Sequence, residues 1–277
     1  MNAEKHKSNS QRAFTFVELV TVIAVIGLCA VMVLPALART RNNSSTAQCQ
    51  NNLRQLATAW GMYSADNRGS LVSAYPSFGG FQGSWCQGNA ASSGSAGSYL
   101  YGGADSRGIT NGLLWPYIKS FSAYKCPLDK RIAQPGAPFA GSSILRSVSM
   151  NSFMAGTSFG VTPQFLITTG GARNPNTPVF LKDFEISRPA STWVILDEDP
   201  QSINDGMFLV DMGGGRQFLE LPSRLHSDGY GINFADGHVE SIKLIDQASL
   251  TWTPGAGLSG GINDWRRLTN ITTYPLN

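Results

Sequence analysis

The chain's most uneven stretch lies near its start. From Leu19 to Leu37 there is no charged side chain, and Thr21 is the only hydroxyl. Phe14 and Phe16 extend the run, which is long enough to cross a hydrocarbon layer of ~30 Å as a helix. A helix is favoured there because it satisfies its own backbone groups. After Leu37 the chain turns polar, through Arg39, Arg41, Asn42, Asn43, Ser44 and Ser45. An apolar stripe then appears at Cys49, Leu53, Leu56, Trp60 and Tyr63, at the spacing of one amphipathic helix face. Asp66-Asn67-Arg68-Gly69 supplies a stop, with Gly69 as terminator. The pattern predicts one helix from Phe14 to Ala65, roughly 78 Å long at the α-helical rise, kinked or locally melted at Pro35. An anchor, a short linker and a separate helix is the alternative.

Beyond Gly69 the helical period fades. Ser70 to Gly112 is rich in glycine, serine and aromatics and reads as loops with short strands. Leu113 to Tyr124 holds one short helix. Arg146–Met150, Pro178–Leu181, Thr192–Asp197 and Met207–Val210 read as strands. Tyr230, Ile232 and Phe234 alternate, Asp236-Gly237 follows, and Val239–Leu244 completes a hairpin. Asp-Gly between two such runs predicts a two-residue turn with both central residues at positive φ. Alternating β-α units are absent, which argues against a doubly wound parallel sheet. The expected fold is α+β: a long N-terminal helix, transmembrane and then amphipathic, packed on an antiparallel β-sheet head. The expected division is a leader over 1–13, a transmembrane and polymerisation helix over 14–38, its amphipathic continuation over 39–66, and a globular head over 67–277.

Composition refines this picture. Charged residues make up only 14% of the chain and glycines number 30, which suits a turn-rich head and not a helical bundle. Lys5, Lys7 and Arg12 stand against Glu4 before the apolar run, a bias that favours a cytoplasmic N-terminus. No basic patch points to nucleic acid. None of the four cysteines, Cys29, Cys49, Cys86 and Cys126, forms a C-x-x-C pair, which argues against zinc ribbons and thioredoxin-like sites. In an oxidising compartment Cys86 and Cys126 could pair; two separate buried thiols are the alternative.

The apolar run has three readings. Ala36-Leu37-Ala38 looks like a signal-peptide cleavage site, but the run exceeds a usual signal core. A plain membrane anchor explains the length and leaves Glu18 unexplained. The third reading starts from Arg12-Ala13-Phe14-Thr15-Phe16-Val17-Glu18-Leu19, which resembles the processing site of type IV prepilins and type II secretion pseudopilins. The resemblance implies cleavage between Ala13 and Phe14, methylation of the new Phe14 amine, and Glu18 at the fifth mature position. The family has glycine where this chain has Ala13. A carboxylate within an apolar helix needs a partner, and the resemblance supplies the positive N-terminus of an adjacent subunit. The head also resembles a large protein G-like pseudopilin subgroup with an H-x9-DG signature, through His226 and Asp236-Gly237. Tyr124-Lys125-Cys126-Pro127, Arg146 to Asn151 and Asp197-Glu198 match that subgroup as well.

Other constellations carry less. Gly156-Thr157-Ser158-Phe159-Gly160 is a G-x-S-x-G, but it lacks the strand before and helix after that a nucleophile elbow needs; no catalytic residue is assigned and no enzyme activity is expected. Asp197, Glu198, Asp199 and Asp205 could bind calcium, which takes several oxygen ligands; a solvated turn is the alternative, and no cofactor is otherwise expected. As a metal ligand His226 would want partners, and His238 is the only other histidine after the leader; its imidazole is expected instead to hydrogen-bond Asp236 or nearby backbone and pin the hairpin. The resemblance implies a single-pass inner-membrane protein with a periplasmic head or an extracellular filament. Its partners would be other pilin-like subunits, a prepilin peptidase/methylase, and a membrane assembly platform with its ATPase. The alternative from another class is a membrane-anchored extracellular domain that binds or hydrolyses polysaccharide or another polymer.

Overall fold

The structure is a computed structural model that describes residues 16–75, 83–91, 100–154, 179–210, 212, 218–253 and 261–273. Helical residues run from Phe16 to Asp66 (α1). The chain nevertheless divides into two units, Met1–Ser44 and Ser45–Asn277. In the first unit the side chains from Phe16 to Cys29 are all exposed. Glu18 sits in the first turn of α1, and Thr21 Oγ1 donates to its carbonyl at 2.9 Å. Among the described residues, no helix is long and apolar enough to cross a membrane. This corrects the expectations of a transmembrane helix over 14–38 and of a single-pass inner-membrane protein.

The second unit is built on a five-stranded sheet. Its strands are β1 (Val148–Asn151), β2 (Trp193–Asp197), β3 (Met207–Phe208), β4 (Gly229–Phe234) and β5 (Val239–Lys243), in the spatial order β3-β1-β2-β4-β5. Three pairings are antiparallel, but β3 lies parallel to β1, with Met150 opposite Met207. The sheet is therefore mixed, which corrects the all-antiparallel expectation. Of the other expected strands, Pro178–Leu181 contributes only an isolated bridge from Phe180 to Met154.

β4 shows how the sequence builds the centre. Tyr230, Ile232 and Phe234 point to one face, where they join Trp193, Leu196, Phe208 and Leu268. The intervening Gly231 and Asn233 point to the other face, and water does not reach them. A Cβ on Gly231 would come within 2.5 Å of Leu53 Cδ1 and 2.9 Å of Asp197 Oδ2, so a larger residue here would displace both side chains. Asn233 Nδ2 donates to the Leu53 carbonyl at 3.0 Å, and its Oδ1 accepts from the Ile195 N–H at 2.8 Å. The second bond falls where β2 bulges against β4, between Trp193 and Ile195. Leu53, Leu56, Trp60 and Tyr63 pack here with Val148, Met150, Val194 and Ile195. The stripe on α1 is thus spent on the sheet. The helix stops as the sequence requires, with Arg68 and Gly69 at positive φ and the Gly69 N–H returning to the Ser64 carbonyl at 2.8 Å.

Among the described residues, four further helices are short or late: α2 (Arg107–Thr110), α3 (Trp115–Ile118), α4 (Gln247–Leu250) and α5 (Ile262–Thr272). The expected helix over Leu113–Tyr124 is split into α3 and a 3-10 turn at Phe121–Tyr124. α5 was not anticipated. It presents Trp265, Leu268 and Ile271 to the second face of the sheet. Its start is clamped by a reciprocal pair, in which Asp246 accepts the Asp264 N–H at 2.8 Å and Asp264 accepts the Asp246 N–H at 2.9 Å. Its end is tied to the sheet by Trp193 Nε1, which donates to Thr272 Oγ1 at 2.9 Å.

The hairpin turn also differs from expectation. Gly237 has φ +92°, but Asp236 is not at positive φ. The Gly237 N–H bonds the Phe234 carbonyl, and the Phe234 N–H bonds the His238 carbonyl. This is a three-residue loop ending in a left-handed glycine, a common hairpin alternative to the two-residue turn.

Leu268 is fully buried on the sheet face that α5 closes. Leu268→Ala should lower the unfolding free energy by about 2–5 kcal/mol, the usual cost of truncating a core leucine. Urea denaturation of the full chain followed by circular dichroism checks this; an unchanged midpoint would mean that α5 is not part of the core.

Candidate metal centre

Four segments converge beneath α1. Cys49 begins the apolar stripe of α1 and faces the end of β2. Asp197, the last residue of β2, points to the same side as Val194 and Ile195 and is fully buried. Cys126 follows the 3-10 turn, and its N–H donates to Ser147 Oγ at 2.8 Å. The stretch after it is fixed by Asp129, which accepts from Arg131 Nε at 3.0 Å while Arg131 also reaches the Arg146 carbonyl at 2.9 Å. His226 lies in the turn before β4. There Ser227 and Asp228 take positive φ, and the His226 N–H bonds the Gly229 carbonyl at 3.2 Å.

The side-chain contacts are close. The Cys49 thiol donates to Asp197 Oδ2 at 3.0 Å. Cys126 Sγ lies 3.3 Å from His226 Nε2, and the same nitrogen lies 3.4 Å from Asp197 Oδ2. His226 Nδ1 meets Thr46 Oγ1 at 3.1 Å, and the Gly231 N–H donates to Asp197 Oδ2 at 3.0 Å. The ligand atoms of Cys49, Cys126 and His226 all lie within 4.8 Å of one another, and all three residues are buried. This cluster could hold a metal ion.

The electrostatics divide the two thiols. The hydrogen bond from Cys49 pulls the Cys126 thiol down to about 6 against the effect of burial, and His226 adds to the fall. Cys49 moves up, through that same bond, through burial and through the nearby Asp197 carboxylate. Burial alone would lower His226, but hydrogen bonds to Asp197 and Cys126 outweigh it and hold the imidazole at about 10. A cysteine beside a histidine and an aspartate also suggests a nucleophile. The geometry argues otherwise: Asp197 touches the same ring nitrogen as Cys126, not the opposite one that an orienting carboxylate takes. Cys126 is only 1% exposed, which leaves no approach for a substrate.

The four candidate calcium ligands do not form one site. Asp197 is committed to Cys49 and Gly231. Glu198 accepts from Ser149 Oγ and Ser202 Oγ. Asp199 pairs with Arg224 at 2.8 Å, and Asp205 accepts the Met207 N–H. His226 and Asp236 are apart: Asp236 takes His238 instead, while Gly237 serves only the hairpin turn. Cys86 and Cys126 are both free thiols. Cys86 lies under Gly206 and Trp85, and Cys126 faces Cys49. Ala13, Phe14 and the Gly156–Gly160 motif lie outside the described residues. The site member that sequence reasoning missed is Cys49, which was absorbed into the apolar stripe. Its only signal was a thiol in place of a leucine at the stripe's first position. No family model, no curated protein and no solved structure matches the chain.

Behind β2 lies a second buried set, Glu198, Glu220 and Asp205, near Arg146. Burial, reinforced by the charges of Glu198 and Asp205, raises the Glu220 carboxyl well above the ordinary range. Its folded pKa therefore exceeds its unfolded pKa. The folded chain keeps a proton that the unfolded chain releases, so stability falls as pH rises above about 4.3 toward the raised value. Glu220→Gln, which keeps an acceptor for the Leu209 N–H, should flatten that decline. Urea midpoints at acidic and mildly basic pH check it; parallel curves for the two proteins would contradict the assignment.

Proposed function

We propose that this chain is a pilin-like subunit whose activity is assembly. The observation that carries the reading is the exposed apolar surface of α1 in the first unit. Phe16 is 79% exposed and Ile26 62%, with the same character at Val17, Ile23, Leu28 and Val31. Apolar surface of this extent marks an interaction site. The proposed cover is the same helix face of further copies. Glu18, in the first turn, sets the axial register by pairing with the amine of a neighbour's processed N-terminus. A single buried polar contact can specify register in this way. The residues around Ala13 and Phe14 supply the processing site, and the partners are a prepilin peptidase/methylase and an assembly platform with its ATPase. The head, with its own core, is then the part displayed on the filament.

Mass spectrometry of protein from the producing cell should find a chain that begins at N-methylated Phe14. Glu18→Ala should leave the subunit folded and processed but reduce filament yield several-fold, as counted by electron microscopy or shearing. An intact Met1 terminus together with normal yield in that variant would refute the proposal.

A further inference from the structure

We propose that Cys49, Cys126 and His226, completed by the Asp197 carboxylate, hold one zinc(II) ion that staples α1 to the sheet. The inference stands on the head alone and does not depend on filament assembly. Tetrahedral zinc with sulfur at about 2.3 Å and nitrogen or oxygen at about 2.0–2.1 Å sets donor-to-donor edges of roughly 3.3–3.8 Å. The structure places Cys126 Sγ and His226 Nε2 at 3.3 Å, His226 Nε2 and Asp197 Oδ2 at 3.4 Å, and Cys49 Sγ and Asp197 Oδ2 at 3.0 Å. Three of the six edges thus lie at or near that range, and the donor atoms of Cys49, Cys126 and His226 all fall within 4.8 Å of one another.

The surroundings are those of a metal site. A metal-bound histidine usually gives its other ring nitrogen a hydrogen-bond partner, which fixes the ring. Thr46 Oγ1 is that partner, 3.1 Å from His226 Nδ1. The Gly231 N–H aims the Asp197 carboxylate, and Ser147 holds the Cys126 backbone. The donor set selects the ion. Thiolate and imidazole suit zinc, whereas calcium takes oxygen ligands. All four side chains are buried, as in closed structural sites, with no position open to substrate.

The four ligands come from distant parts of the sequence: α1, the loop after the 3-10 turn, the end of β2, and the turn before β4. Cross-linking them closes long loops, which restricts the unfolded chain. It also fixes the first turns of α1 in the head to the point where Gly231 admits the helix. The competing chemistry is a Cys49–Cys126 disulfide. That bond would form by two-electron oxidation of the two thiols with loss of both thiol protons to an external oxidant, and it would remove both sulfur ligands.

The test uses the full chain, produced with zinc and purified without chelators. Elemental mass spectrometry should find zinc equimolar with protein. Replacing zinc by cobalt(II) should give the intense visible bands of tetrahedral cobalt and a thiolate-to-cobalt charge-transfer band. Cys86→Ala and Cys29→Ser should keep that spectrum. Cys126→Ser should weaken the charge-transfer band and lower the zinc content several-fold. If Cys126→Ser fails to fold, the cobalt spectrum of the unaltered protein still decides. Zinc well below stoichiometry with a weak octahedral cobalt spectrum would overturn the proposal. So would a Cys49–Cys126 disulfide in the non-reduced peptide map, or calcium in place of zinc.

Discussion

A carboxylate sealed from water at the end of a central strand must find all its partners within the protein. Asp197 is that group, and the head is arranged around it. Cys49 brings α1 to it, His226 brings the turn before β4, and Gly231 offers a backbone N–H from β4 itself. Moving any one of these elements would leave a buried charge short of a donor, at a cost of about 1–3 kcal/mol or more. The contact therefore adds a directional constraint on α1 to the packing of its apolar stripe.

The same constraint explains the composition of β4. A strand with α1 on one face and α5 on the other has no solvent side. Its large residues, Tyr230, Ile232 and Phe234, fill the α5 face. Its alternate positions are small or hydrogen-bonding because α1 lies directly on them. Asn233 satisfies both the bulge in β2 and a carbonyl of α1, so a polar residue with no exposure costs little here. The bulge lets Val194 and Ile195 both serve the α1 face and still returns Asp197 to it.

Much of this head was legible in the sequence, and the parts that were not have identifiable reasons. The stripe from Cys49 to Tyr63, the hairpin around Asp236 and most of the strands could be read because their period is local. The alternation in β4 was read correctly as a strand but implied one wet face, since sequence does not show that glycine and asparagine can mark a helix contact. α5 was missed because much of its surface is polar and its apolar face, Trp265, Leu268 and Ile271, is short. The parallel pairing of β3 with β1 joins segments that are far apart in the chain, and no local pattern encodes that. The candidate site was half legible. His226, Cys126 and Asp197 stood out within motifs, but each was given a different role, because their convergence depends on three loops. Cys49 could not be singled out, since a thiol is equally at home in a core stripe.

The two units carry opposite solutions to the placement of apolar surface. From Ser45 onward the apolar stripe of α1 is consumed by the sheet. Before Ser45 the described side chains are exposed. Apolar surface with no intramolecular use is costly in water, by roughly 25 cal/mol per Å² left uncovered. Cover by further copies, as proposed above, would remove that cost.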